Sequence, residues 1–317
     1  MKIVFLDEDT VVLHGDVDLS RVKALGEYAA YELAPTADPL PYCQDAEIII
    51  VNKVRMSREN IEKLPKLRLI CEAATGYDNI DIEAAQDCGV HVTNVAGYAK
   101  TAVAQHVFAM ILSFATKIFS YYQDVLAGEW QKSKTFDLLK YDTFELGGRI
   151  LGIIGFGSIG QGIAKIAEAF GMEILVHDVV DISSTGYRNH SLDEVLKGAD
   201  IVSVMCPLTD QTQNLIDAAA LKKMKPTAIL INTARGGIVN ESDLAEALNS
   251  GVIAGAGVDT LTKEPPREGN PLLEPVKNLI ITPHSAWSTR DARQRLMDIV
   301  VQKIEQYRKD DFEGFIV

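Results

Sequence analysis

Three glycines are the first residues with chemistry to offer in this 317-residue chain. Gly155, Gly157 and Gly160 have the spacing G-x-G-x-x-G and follow directly on the apolar run Ile150-Leu151-Gly152-Ile153-Ile154. Such a run reads as a buried parallel strand. Ile159, Ile163, Ile166, Ala167 and Phe170 then recur at helical spacing, and Gly171 stands where a helix would end. A second apolar run, 173–177, leads into Asp178, eighteen residues after Gly160. Each part has a task in holding a dinucleotide. Gly155 permits a tight turn, Gly157 lets the backbone approach a pyrophosphate, and Gly160 lets helix and strand pack closely. The helix start, Ser158-Ile159, offers N–H groups and a positive dipole end to phosphates. Asp178 can accept hydrogen bonds from both ribose hydroxyls. Its charge repels a 2′-phosphate, and no Lys or Arg follows before Arg188, so the expected cofactor is NAD(H) rather than NADP(H). A plain βαβ turn and a methyltransferase loop are the competing readings of the same pattern.

Other reactive side chains fall just past further apolar runs. Thr209 follows 201–204, Arg235 follows 228–232, Asp259 follows 254–258, and His284 follows 279–281 through a Thr-Pro turn. Ligands of open parallel sheets bind outside the carboxyl ends of the strands, so these residues and Asp178 are expected to line one crevice. The loop after Asp259 adds Glu264, and Gly236-Gly237 beside Arg235 allow close backbone approach. Singly, each is an ordinary surface polar residue. As a set around a nicotinamide site they read as catalytic. The other histidines, His14, His91, His106, His177 and His190, show no convergent partner in the sequence and read as surface or packing residues.

The elements that must position these residues alternate strand and helix, which implies parallel α/β sheets. In the first part, strands are expected at 3–6, 47–51, 67–72 and 90–92, with helices at 19–31, 58–64 and 81–88. Ser57 is the expected N-cap of the second. This unit reads as flavodoxin-like and carries no phosphate-binding glycine triplet. Residues 101–127 read as one long helix with Val103, Val107, Met110, Ile111, Phe114 and Ile118 on a stripe, suited to a core or a dimer interface. Residues 130–145 read as irregular and polar, and 288–307 as a C-terminal helix that returns to the first domain.

The bulk numbers exclude several classes. A net charge of −13 argues against nucleic-acid or anionic-membrane binding. No apolar run is long enough to span a bilayer, and the N-terminus turns acidic too soon for a signal peptide. Cys43, Cys71, Cys88 and Cys206 have no metal-binding spacing and read as reduced core thiols of a cytoplasmic protein.

The chain resembles the D-isomer-specific 2-hydroxyacid dehydrogenases along essentially its whole length. The resemblance is carried by Ala74-Thr75-Gly76-Tyr77-Asp78-Asn79-Ile80-Asp81, residues 153–160, Cys206-Pro207-Leu208-Thr209, Asn232-Thr233-Ala234-Arg235-Gly236, Asp259 with Glu264-Pro265, and Thr282-Pro283-His284. Asn94-Val95-Ala96-Gly97-Tyr98, Val103-Ala104-Gln105-His106 and His284-Ser285-Ala286-Trp287 are most similar to the glycerate dehydrogenase/hydroxypyruvate reductase branch. Ala96 stands where that branch usually has proline, and Ser158 replaces a frequent arginine.

The resemblance implies two doubly wound domains: a Rossmann NAD-binding domain, 99–290, inserted in a flavodoxin-like substrate domain, 1–98 plus 291–317. It implies that Arg235 binds the substrate carboxylate and polarises the carbonyl. His284 would be the general acid in reduction, with Glu264 holding it and favouring its protonated form. Thr75 and Gly76 would cradle the carboxylate through their backbone. Thr101, Gly155, Gly157, Ser158, Ile159, Gly160, Asp178, Cys206, Pro207, Thr212, Thr233, Ala234, Arg235, Asp259 and His284 would surround NAD, with Asp259 facing the nicotinamide. The chemistry agrees with these roles. A keto acid needs a cation for its carboxylate, and a guanidinium binds one bidentately. The carbonyl oxygen gains negative charge as hydride arrives and needs a proton donor near neutral pH. Hydroxypyruvate or glyoxylate is the expected keto acid, in a homodimer that needs no metal. A D-lactate- or phosphoglycerate-type dehydrogenase, or a non-catalytic NAD(H)-sensing protein of the same fold, are the alternatives.

Overall fold

The computed structural model describes residues 1–317, which divide into two compact units, Met1–Ala99 with Trp287–Val317, and Lys100–Ala286. The second seam falls after Ala286 rather than at 290, because Trp287 packs edge-on against Tyr98 and lies under the Lys53 ammonium, both in the first unit.

The first unit holds five parallel strands, β1 (Lys2–Phe5), β2 (Glu27–Ala30), β3 (Ile48–Val51), β4 (Leu69–Glu72) and β5 (His91–Thr93), in the order β2-β1-β3-β4-β5. Every residue of β3 and β4 is buried, so these strands read as unbroken apolar runs rather than alternating ones. The expected helix over 19–31 does not form. A single turn, Ser20–Lys23, is followed by β2, which pairs in register with β1. Gly26 makes the crossing possible: a Cβ there would overlap the Met1 carbonyl, to which Glu27 N–H donates. Local periodicity lost to pairing with the N-terminal strand. Ser57 occupies the N-cap of the helix Arg58–Glu62 but makes no side-chain capping bond, whereas Asp81 caps Ile82–Asp87 through Ala84 N–H.

The C-terminal helix Arg290–Tyr307 buries Ala292, Leu296, Met297, Val300, Val301 and Ile304 against this unit. Arg293, also buried, makes a bidentate pair with Asp16 at 2.7 and 2.6 Å and holds that carboxyl down to about 2. Beyond the helix, Ile316 N–H donates to the Val92 carbonyl, which ties the chain end to β5.

The second unit holds six parallel strands, β6 (Ile150–Ile154), β7 (Glu173–His177), β8 (Ile201–Val204), β9 (Ile229–Asn232), β10 (Gly255–Val258) and β11 (Leu279–Ile281), in the order β11-β10-β9-β8-β6-β7. In both sheets the first strand lies between its second and third, so strand order reverses beside it, the place where open parallel sheets hold ligands outside their carboxyl ends. The long helix expected over 101–127 is two helices, Lys100–Thr116 and Ile118–Leu126, bent by 59° at Lys117, which adopts φ 54°. The first packs its Val103, Val107, Met110, Ile111 and Phe114 into the unit. No single helix is long and apolar enough to cross a membrane. All four cysteines are free. Cys43 and Cys71 are buried as expected, but Cys88 is exposed and Cys206 half-buried.

Candidate active site

β6 ends in the glycine loop. Gly155 has φ 96°, and a Cβ on it would sit 2.4 Å from the Cys206 backbone nitrogen, so the ends of β6 and β8 touch through this residue. A Cβ on Gly160 would meet the Gly155 carbonyl at 2.5 Å, which is why helix and loop can close on each other. At Gly157 no atom comes within 4 Å of where a Cβ would stand, and its side of the loop is open. Gly157 is also the N-cap of the helix Ser158–Ala169 and offers no side chain to cap it. The first N–H groups of a twelve-residue helix therefore face an open glycine cradle, which fits the pyrophosphate of a dinucleotide.

Asp178 follows β7. Its Oδ2 accepts Phe156 N–H at 2.5 Å and its Oδ1 accepts Val180 N–H at 3.1 Å. The carboxylate thus stands beside the glycine loop. Asn189 clamps its backbone from both sides, accepting Asp178 N–H at 3.0 Å and donating to its carbonyl at 2.8 Å. No local pattern announces Asn189, because its bonds span eleven residues of irregular chain.

After β8, Cys206 and Pro207 run past the glycine loop, and burial pushes the Cys206 thiol up to about 11. Burial thus disfavours the thiolate, the form a nucleophilic cysteine needs. Thr212 folds the loop: its hydroxyl donates to the Pro207 carbonyl at 2.6 Å and accepts Thr209 N–H at 2.7 Å. Thr233 is buried after β9, and Ala234 N–H donates to the Asn232 side chain at 3.1 Å. Thr101 is exposed in the first turn of Lys100–Thr116, where Lys100 and Ala104 lie against Gly162 of the glycine-loop helix.

Arg235, Glu264 and His284 follow β9, β10 and β11, three adjacent strands. Asn232 donates to the Arg235 carbonyl at 3.0 Å, and the half-buried guanidinium donates to the Ala234 carbonyl at 2.9 Å. A Cβ on Gly236 would fall 2.0 Å from the Leu261 carbonyl carbon, so only glycine lets the 261–264 loop cross here. That crossing brings in Glu264, whose Oε1 accepts Leu261 N–H at 2.7 Å. Its Oε2 lies 2.6 Å from His284 Nδ1. A carboxylate can only accept, so Nδ1 carries the proton and Nε2 is left to hold or release a second one.

The carboxylate of Asp259 is 1% exposed and turned to the His284 turn, not out toward a ligand. It accepts the Thr282 hydroxyl at 2.5 Å, Ser285 N–H at 2.9 Å and Ala286 N–H at 2.9 Å. Its own carbonyl accepts His284 N–H at 2.7 Å. His106, expected to be without a partner, reaches this network, with Nε2 3.0 Å from Thr282 Oγ1. His177 and His91 also have partners, the carbonyls of His190 and Val317, and His91 stacks on Phe312.

Thr75 and Gly76 lie in the first unit, in the loop after β4. Thr75 Oγ1 donates to the Val95 carbonyl at 2.9 Å, and Asn94 donates to the Thr75 carbonyl at 2.7 Å. Beneath the loop, Asn79 donates to the buried Glu72 carboxyl at 2.9 Å and to the Val54 carbonyl at 3.1 Å. No group of three or more His, Cys, Asp or Glu is arranged to hold a metal ion.

Comparison with known proteins shows the family of the chain. Residues 108–286, more than half the chain, match the family model for the NAD-binding domain of D-isomer specific 2-hydroxyacid dehydrogenases. The chain is 41% identical over 308 residues to the glycerate dehydrogenase of Methylorubrum extorquens, covering 96% of each. It is 37% identical over 315 residues to the hydroxypyruvate reductase of Blautia hydrogenotrophica, covering 98% of this chain and 97% of that one. Among solved structures, D-lactate dehydrogenase from Aquifex aeolicus, complexed with NAD and lactic acid, superposes with a TM-score of 0.82 at 30% identity, covering 99% of both chains. The chain belongs to the D-isomer-specific 2-hydroxyacid dehydrogenase family, whose NAD-binding domain it carries in its second unit.

Proposed function

We propose that this protein reversibly reduces a small 2-keto acid, hydroxypyruvate or glyoxylate, to the D-2-hydroxy acid with NADH. The observation that carries the reading is His284 Nδ1 at 2.6 Å from Glu264 Oε2, at the carboxyl edge of the sheet that bears the glycine loop. Gly155, Gly157, Ser158, Ile159, Gly160 and Asp178 would hold the dinucleotide, with Thr101, Cys206, Pro207, Thr212, Thr233 and Ala234 around it. Bound NADH supplies the hydride. Arg235 would grip the substrate carboxylate through its planar fork and draw charge from the carbonyl. His284 would give the proton on Nε2 to the carbonyl oxygen as negative charge builds there, and would take it back in the oxidative direction. Glu264 would keep the ring oriented by its bond to Nδ1 and stabilise the imidazolium. The choice of keto acid is supported by the glycerate dehydrogenase and hydroxypyruvate reductase names of two relatives similar over nearly the whole chain.

We further propose a cytoplasmic homodimer joined through the second-unit segment 118–139. The test of the activity is NADH oxidation scanned across hydroxypyruvate, glyoxylate, pyruvate and phosphohydroxypyruvate. The expected order of kcat/KM puts hydroxypyruvate or glyoxylate first. A preference for pyruvate or the phosphorylated acid overturns the substrate choice, and no turnover with any of them overturns the reading as an enzyme.

A further inference from the structure

His106 sits on the helix Lys100–Thr116, outside the strand-end loops, yet its ring reaches the turn that carries His284. The direction of each hydrogen bond here can be assigned. Asp259 accepts two backbone N–H groups, from Ser285 on Oδ1 and from Ala286 on Oδ2. The Thr282 hydroxyl, 2.5 Å from Oδ1, must give its single proton to that carboxylate. Thr282 Oγ1 can therefore only accept from His106, 3.0 Å away, and Nε2 of His106 carries a proton. The chain of donation runs His106 to Thr282 to Asp259.

The turn between these anchors is demanding. His284 adopts φ 52°, a conformation that side chains other than glycine seldom take and that persists only where surroundings enforce it. Thr282 precedes it and Ser285 with Ala286 follow it, and all three are tied to the one buried carboxylate. With the Thr282 proton committed to Asp259, the hydroxyl oxygen is left to accept, and His106 donates to it while its Nε2 also stands 3.6 Å from Asp259 Oδ1.

We propose that His106 is a positioning residue for the reaction: through Thr282 and Asp259 it fixes the turn that sets the His284 ring against Glu264. The inference rests on the reading of His284 as proton donor and adds a residue that touches neither substrate nor cofactor. An ångström of misplacement in such a group is enough to cost orders of magnitude in rate, so loss of an outer anchor registers in kcat.

The experiment measures kcat and KM for reduction of hydroxypyruvate, and NADH affinity by fluorescence, in His106→Leu, His106→Gln, Thr282→Val and His284→Ala, and in His106→Leu combined with each of the last two. His106→Leu is expected to lower kcat about tenfold, with KM and NADH affinity within about twofold of the parent. His106→Gln keeps a donor close to the Nε2 position and is expected to regain most of that loss. Thr282→Val is expected to match His106→Leu, and the pair together to cost no more than either alone. In the His284→Ala background, His106→Leu is expected to have no further effect. If His106→Leu also loses NADH affinity, His106→Asn, whose amide stops short of Thr282, repeats the test at constant polarity. Full kcat in both His106→Leu and His106→Asn, or an undiminished effect of His106→Leu when His284 is already alanine, overturns the proposal. Parental activity in His284→Ala alone instead overturns the reading on which it rests.

Discussion

At the scale of single residues, the candidate chemistry gathers where polar groups stand at the ends of apolar runs. Arg235, Asp259 and His284 each interrupt such a run's exit, and parallel sheets put those exits on one edge. Contacts across long stretches of chain were not legible: His106 is 176 residues from Thr282, and no local pattern announces the pair. Three predictions belong here. Glu264→Gln keeps the shape beside His284 but removes the negative charge. Reduction would take its proton from Nε2, and the Glu264 carboxylate at Nδ1 is the group that orients and faces that ring. kcat for reduction should therefore fall by roughly tenfold or more while NADH affinity is kept; an unchanged kcat would separate Glu264 from the proton transfer. His284→Ala should lower kcat by roughly 10²–10⁴, the usual contribution of a positioned general acid. The third prediction concerns Asp178. Its carboxylate lies against the Phe156 N–H of the glycine loop, where a 2′-phosphate would meet its charge. The parent should prefer NADH, and Asp178→Ala should narrow the gap in kcat/KM between NADH and NADPH by about tenfold, on the order of 1.4 kcal/mol. Equal use of both cofactors by the parent would refute this.

At the scale of elements, buried parallel strands were found readily, since a strand covered on both faces is apolar throughout. Errors arose where tertiary pairing outweighed local periodicity, as in 19–31, or where one backbone outlier broke a continuous pattern, as at Lys117. The helix Leu192–Gly198 went unread although Ser191 and Glu194 form a full capping box, a signal that was available. The end of β4 carries a testable consequence that only burial reveals. Glu72 is wholly buried. Desolvation, with the Asp7 charge nearby, pushes its carboxyl well above the usual range, although the bond from Asn79 opposes this. Its Oε1 and the Asn52 Oδ1 are both buried without partners, as befits a side chain that holds a proton rather than a charge. A raised folded-state value means the folded chain binds the proton more tightly than the unfolded chain. The stability Glu72 contributes is then fully present below about 4.5, the ordinary glutamate value, and is lost as pH rises toward the folded-state value. Glu72→Gln, neutral at every pH, should match the parent near pH 4.5 and exceed it increasingly as pH rises, read as the difference in urea midpoint. A pH-independent difference would show that Glu72 is charged in the folded protein.

At the scale of the whole molecule, both sheets place their first strand at the reversal of order, which alternation of strands and helices implied but could not specify. The assembly state was read from the apolar stripe on 101–127, and the structure divides that stripe in two. Val103, Val107, Met110, Ile111 and Phe114 are core, so they cannot also form an interface. The exposed apolar surface lies past the bend instead: Ile118, Phe119, Tyr122 and Leu126 on the second helix, then Trp130, Phe136 and Leu139, the last two 90% and 89% exposed. Trp130 Nε1 donates to the Phe136 carbonyl at 2.8 Å, so this stretch is folded rather than loose. An ordered surface of this composition on a chain of net charge −13 is costly to leave in water and is the surface on which the proposed dimer would form. A second copy of the same surface would cover it about a two-fold axis, the commonest arrangement of oligomers. Light scattering should give twice the 34.7 kDa chain mass at micromolar concentration. Phe136→Asp with Leu139→Asp should shift the population to monomer, because charges in the centre of an apolar interface lose their water without gaining a partner. Replacing Phe119 by alanine should weaken association by about thirtyfold, roughly 2 kcal/mol, the scale of an aromatic hot spot. A parent that stays monomeric at micromolar concentration would leave this surface without the partner proposed for it.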